Sequence, residues 1–505
     1  MSIGIPAILA LWTMAIGADD GTPWFQVRVV DGETGRGVPM VALRTTNEIV
    51  HYTDSHGIAA IHEPGLMGRE VFVHVSSHGY RYPEDRFGMR GVALNLEPGG
   101  TATIELEREN IAERLYRITG QGIYRDSVLT GEPVPLDEPV LNGDVMGQDS
   151  VLTTVYQDRV FWIWGDTGRP GYPLGNFQSS GAVSDLPGHG GLDPSEGINL
   201  EYFVDDTGFT KPMCPIVDDR ALLIWLDALM TVPDADGRKR LVARQTTLKS
   251  LGEPVDHGLV VFDDEREEFE TLSTFDLDEP WRYPQGHAVP MEDDGVRYYV
   301  FPRPFPLVRV TATLDALQNP EGYEAFTCLE PGGRMNGADS PVMRDADGKL
   351  VWAWRADTDP VGQDEEQQLV EAGLMDSAER RFHLQDMESD ETVQLHRGSL
   401  QYNAYLDKWI MIGSEIGGRS FLGEVWFAEA PSPSGPWTRA RRIVTHDQYS
   451  FYNPAHHAFF NQDGGRLIYF EGTYTTMFSG QEHATPRYDY NQIMYRLDVS
   501  DPRLR

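Results

Sequence analysis

The chain has 505 residues, 40% of them hydrophobic, with 11 Trp and 21 Tyr; this supports two or three folded domains and excludes a disordered chain. Its formal net charge of -36 argues against nucleic acid and anionic membrane surfaces as partners. Two cysteines, Cys214 and Cys328, are too few for a disulfide scaffold or a structural zinc site; either they pair or they remain buried thiols.

Residues 1–18 read as a signal peptide. Ile5 to Gly17 is an apolar run that ends in small residues and is followed by Asp19-Asp20-Gly21. No Lys or Arg precedes it, so a buried first strand or helix is the competing reading. Past this run no stretch is long and apolar enough to span a bilayer. The expected location is secreted, periplasmic or at the cell surface.

Residues 24–107 alternate in short runs, such as Phe25-Gln-Val-Arg-Val-Val and Val71-Phe-Val-His-Val, broken by Gly, Asp and Pro. That is the pattern of a small β-sandwich. The spacing of His51, His56, His62, His74 and His78 fits no metal-ligand set. Residues 108–140 read as a linker, charged at first and Pro-rich from Pro133 to Pro139.

Residues 141–505 read as a β-propeller with five or six blades. The stretch from Gly147 to Thr167 predicts a hairpin, with Asp149 at the start of one strand and Asp166 just past the end of the other. In an antiparallel hairpin these ends lie side by side. Five further units resemble it, and their starts fall roughly every 50 to 75 residues. Predicted strand starts are Asp149, Lys211, His287, Asp339, Arg397 and Asn453. Predicted exits of the second strands are Asp166, Asp227, Arg303, Arg355, Glu415 and Glu471. Every one is polar, and in a propeller they face one central pocket.

Carboxylates mixed with guanidinium groups suit glycoside hydrolysis. One carboxyl must stay protonated for the leaving oxygen, while a second, ionised, attacks or activates water. Asp149 is the expected base or nucleophile, Asp166 the residue that orients substrate or tunes its neighbours, and Glu415 the acid. Asp227, Asp339 and Glu471 are also available as acids. Arg303, Arg355 and Arg397 are expected to clamp a carboxylate or sulfate, with ion pairing to pocket acids as the alternative. His287, Asp339 and Trp164 complete the expected substrate contacts. For the paired Trp162 and Trp164, and for Trp352 and Trp354, packing between blades competes with sugar stacking. No cofactor or metal is expected.

Two family resemblances follow from these motifs. The order Val-x-Asp-x-x-Thr-Gly-x-Gly-Val-Pro, then Tyr52-Thr-Asp-Ser-x-Gly and Ser77-His-Gly-Tyr, resembles the transthyretin-like sandwich of carboxypeptidase regulatory domains. Gly147-Gln-Asp-Ser with Phe161-Trp-Ile-Trp-Gly-Asp-Thr resembles the opening of a family of secreted propeller proteins, formerly a domain of unknown function, that includes D-arabinan-cleaving glycosidases. Ser432-Pro-Ser-Gly-Pro-Trp is similar to a blade turn of arabinanase and β-fructosidase propellers. The resemblance implies that Asp149 and Asp166 match the family's acidic positions.

The expected fold is thus all-β, a transthyretin-like sandwich followed by a five- or six-bladed propeller. The expected function is a secreted glycoside hydrolase on a polysaccharide or oligosaccharide, with an anionic one among the candidates. The alternatives are a non-catalytic carbohydrate-binding or surface protein, and a propeller polysaccharide lyase that uses His287 and the arginines.

Overall fold

Strand alternation builds the N-terminal unit. Val27 and Val29 share one face of the strand Phe25–Asp31, and Leu43, Val73 and Val75 meet them from a second sheet. A computed structural model describes residues 24–216 and 222–505, so the leader-like run at 1–18 lies outside the described residues. The two sheets have four strands each and enclose one core. In one, Phe25–Asp31 lies between Ile58–Ile61 and Thr101–Arg108. In the other, Ala42–Thr45 lies between Val50–Tyr52 and Glu70–Ser76.

The remaining chain forms five sheets of four or five strands. Blade 1 runs from Leu152–Tyr156 at its inner edge to Glu201–Tyr202. Blade 2 runs from Leu223–Pro233 to Glu268–Thr274. Blade 3 runs from Val289–Asp293 to Ala353–Ala356. Blade 4 runs from Leu395–Asn403 to Phe382–Asp386, and blade 5 starts at Ser450–His456.

Five buried clusters fill the seams. Trp162 and Trp164 point from blade 1 towards Tyr469 of blade 5, while Phe161 and Ile163 point the other way to Ile224 and Phe262 of blade 2. Val242 and Phe301 join blades 2 and 3; Val300 and Leu400 join 3 and 4; Ile410 and Phe470 join 4 and 5. Each sheet therefore buries both faces, and the ring closes on blade 1.

Three boundaries differ from the sequence reading. The fourth predicted unit makes no blade: its Asp339 stands in an exposed turn, and Ala353–Ala356 pairs with Glu324–Thr327 as the fifth strand of blade 3. In the second unit, Leu223–Pro233 is an innermost strand rather than a second one. The supposed linker holds a wholly buried strand, Glu113–Arg117, which pairs with Asn491–Asp498 and completes blade 5. The propeller thus begins near residue 113, not 141. A strand that precedes the ring in sequence fastens its last sheet. The two cysteines are buried and free.

The N-terminal unit is bound into the propeller rather than tethered as a docking module. The Tyr488 hydroxyl donates to the Thr53 carbonyl (2.6 Å) and accepts from the Met40 amide (3.1 Å). Arg114 donates to the carbonyls of Pro39 and His78 and to Ser77 Oγ. Asp126 accepts from the Ala60 amide. Tyr488→Phe removes this bridge, while the Met40 amide keeps its bond to the Thr53 carbonyl (3.1 Å), and is expected to destabilise by about 0.5–1.5 kcal/mol. An unchanged unfolding midpoint in denaturant would show that this junction adds nothing.

Candidate active site

The hairpin of blade 1 crosses between two sheets, and the acids sit at the crossing points. Leu152 pairs with Ile163 in the blade, whereas Gln148 pairs with Thr167 in a separate three-stranded sheet. Asp149 and Asp166 fall between those registers on facing strands. The Gly165 amide donates to the Asp149 carbonyl (2.7 Å), and Ser150 takes left-handed backbone (φ 55°) as the strand turns. A Cβ on Gly165 would lie 2.2 Å from Asp149 Oδ1, so the absent side chain makes room for this carboxylate.

The carboxylates differ in their partners. Asp149 Oδ2 accepts from the Tyr452 hydroxyl at 2.7 Å, and Tyr490 also faces it. Burial pushes its carboxyl up to about 6; the Asp166 charge adds to this, while Tyr452, Tyr490 and Ser150 oppose it. Asp166 Oδ1 accepts from Trp225 Nε1 at 3.0 Å, and burial raises its carboxyl as well. The Asp166 charge thus bears on Asp149, and both half-buried carboxylates are held by aromatic donors, from blades 5 and 2.

Tyr452, Tyr490, Trp225 and Arg244 were not singled out from the sequence. Tyr452 is aimed by a local irregularity: the register shifts between Tyr452 and Ala455, with Asn453 at φ 50°. Blade 2 repeats the device, with a shift between Asp227 and Met230 and Ala228 at φ 50°. Such bulges re-aim side chains at a sheet edge. A Tyr before an Asn-Pro is the only signal, and it is a weak one.

A basic group gathers around Asp227. Arg244 lies opposite Asp227 in the register of blade 2. Arg303 follows the second strand of blade 3 and donates to Gln285 Oε1 at 3.1 Å. Arg397 lies on the innermost strand of blade 4. His287 lies within the field of Asp227, His457 and Arg397, and burial brings its imidazole down to about 4. It is neutral at pH 7.

Other expected site residues lie elsewhere. Trp164 is fully buried and stacks on Trp162 at 5.9 Å, so it packs a seam and does not face a substrate. Arg355 is on the outermost strand of blade 3, with Nη2 against Met343 Sδ at 3.0 Å. Asp339 is exposed in its turn. Lys211 lies at the outer edge beside Glu268. Glu415 accepts from Trp426 Nε1 at 2.9 Å; burial raises its carboxyl, and its charged neighbours are Glu424, Arg442 and Asp386 rather than Asp149. Glu471 is fully buried inside its strand, 2.6 Å from His457 Nε2. Burial drives both to neutrality, holding Glu471 well above the carboxylate range and His457 near 3. They make a core pair, not a pocket rim. Among the described residues no group of three metal-ligating side chains occurs.

No protein-family model and no curated protein matches the chain. Solved structures do. One is a putative hydrolase from Bacteroides ovatus ATCC 8483, with 13% identity and TM-score 0.41, covering 70% of this chain and 86% of that one. Another is a putative exo-β-1,3-galactanase from Bifidobacterium bifidum s17, with 12% identity and TM-score 0.36, covering 77% and 94%. A third is an exo-1,5-α-L-arabinanase from a bovine ruminal metagenomic library, with 7% identity and TM-score 0.34, covering 70% and 93%. At these scores the likenesses decide nothing about the reaction, which rests on the side chains themselves.

Proposed function

We propose that the chain is a secreted glycoside hydrolase that acts on a polysaccharide through the Asp149–Asp166 pair. Two half-buried carboxylates on one hairpin, each held by an aromatic donor and with the charge of Asp166 bearing on Asp149, carry this reading. Asp149, ionised above about pH 6, activates water or attacks the anomeric carbon. Asp166 tunes it by charge and, through Trp225, anchors the crevice wall. For the proton donor we prefer Asp227 to Glu415. Asp227 stands on an innermost strand and shares its surroundings with His287, whereas Glu415 is turned among the outer strands of blade 4. The N-terminal unit is read as a transthyretin-like sandwich that stiffens the ring.

A second reading has its own observation. His287 is neutral at pH 7 and feels the charge of Arg397, a pairing that suits proton abstraction beside an acidic group in a lyase. One assay on a panel of glycans separates the two. Hydrolysis releases reducing ends without ultraviolet absorbance; elimination produces an absorbing double bond. No product from any glycan would end both readings.

The pH profile offers a check on the pair. Asp149 faces Asp166, Tyr452, Tyr490 and Ser150. Activity is expected to rise as pH climbs through about 6. Asp166→Asn removes the charge that raises Asp149 and should move this limb to lower pH. Tyr452→Phe removes a donor to the carboxylate and should move it higher. A limb that stays in place in both variants would show that another group titrates.

A further inference from the structure

Arg244, Arg303 and Arg397 come from three successive blades and gather around Asp227 and His287. The gathering is traceable through contacts. Arg303 holds Gln285, the next amide, Gly286, donates to Asp227 Oδ1 at 3.0 Å, and Asp227 is the register partner of Arg244. Arg397 enters beside His287, the residue after Gly286, and acts on Arg244 and His396 as well.

None of the three forms an ion pair with a carboxylate among the described residues. Arg244 has only His257 Nδ1 at 3.3 Å and the face of Tyr283 at 4.3 Å. Arg303 has the amide of Gln285. Arg397 donates to no side chain or carbonyl among the described residues. Acids are not scarce: the chain has 78 against 42 Lys and Arg. Elsewhere they are used, as where Arg309 takes both Asp293 and Glu324. Asp227 is the nearby exception, and its Oδ1 is engaged by the amides of Ala228 and Gly286. Burial, along with the positive charges of Arg303 and Arg397, pulls the guanidinium of Arg244 below its ordinary range, against the pull of Asp227. Three like charges held together, none of them paired with a carboxylate among the described residues, form a seat for an anion.

We propose that Arg244, Arg303 and Arg397 bind an anionic substituent, a carboxylate or sulfate ester, on the sugar placed before Asp149, so that the substrate is an acidic glycan. This rests on the glycosidase reading for the word substrate, but the seat itself does not.

Calorimetric titration at low salt with glucuronate, galacturonate and glucose 6-sulfate, set against glucose and galactose, tests the seat without any turnover. At least one charged sugar is expected to bind about tenfold or more tighter than its neutral parent, with affinity that falls as salt rises. The uronates and the sulfate separate the two anions. Arg397→Gln should remove the preference. Arg303→Gln, at an exposed position whose loss does not threaten folding, should weaken it severalfold. Arg355→Gln on the outer strand should leave it unchanged. Equal binding of charged and neutral sugars, or a preference that survives both Arg397→Gln and Arg303→Gln, would overturn the proposal. If charged sugars bind selectively but no glycan is cleaved, the seat stands and the hydrolase reading falls. If neutral glycans are cleaved without discrimination, the reverse holds.

Discussion

Asp149→Asn is expected to lower glycan hydrolysis by about 10²- to 10⁴-fold, the usual contribution of a positioned base. The amide has the shape of the carboxylate and can still accept the Tyr452 hydroxyl, so the crevice keeps its form. What it lacks is an oxygen that can take a proton or attack. Binding should therefore survive, and a titration of the variant with a released oligosaccharide would show it. Turnover equal to that of the parent would remove Asp149 from the mechanism.

The same substitution should stabilise the fold at neutral pH. The folded-state value of Asp149 is raised from 3.8 to about 6, so the folded protein holds its proton more tightly than the unfolded chain does. That contribution is complete below about pH 4 and is lost as pH rises through 6, to the extent of about 3 kcal/mol. Asn avoids the loss. Denaturant midpoints of parent and variant should thus coincide near pH 4 and separate towards pH 7, with the variant the more stable.

Gly165→Ala should cost about 10²-fold in activity while leaving the fold intact. The added methyl would meet Asp149 Oδ1 at 2.2 Å, with the next atoms at 3.3 and 3.5 Å, so the carboxylate must move while the surrounding backbone need not. A displacement of about 1 Å at a reacting group has effects of that size. The damage should appear in kcat more than in KM, with an unchanged melting temperature. Full activity in the alanine variant would mean that the position of Asp149 does not matter to the chemistry.

Local pattern carried much of the architecture. Alternation in Phe161-Trp-Ile-Trp sends its residues to two different seams, and both are apolar because every blade is covered on both sides. The hairpin of blade 1 is legible because its two strands are separated by a tight polar turn, Gln157-Asp158, with both residues at positive φ. Misreadings arose where periodicity fell silent. Trp352 and Trp354 look like the second strand of a blade, but such a pair serves equally well on an outer strand against Phe326. Glu415 and Glu471 have the same sequence setting, an acid in or after an apolar run. One ends its strand and the other is buried in mid-strand beside His457.

Composition and period two, by themselves, determined that this protein is built of β-sheets and that Asp149 and Asp166 share a hairpin. Those are properties of neighbours along one or two strands. Tertiary structure alone decided the number of blades, the strand that fastens the ring, and the company each charge keeps. Arg244, Arg303 and Arg397 are separated by many residues, and only the closing of the ring brings them around one hollow. Bulges at Asp227 and Asn453 turn single side chains by a local twist that hydrophobic periodicity does not record.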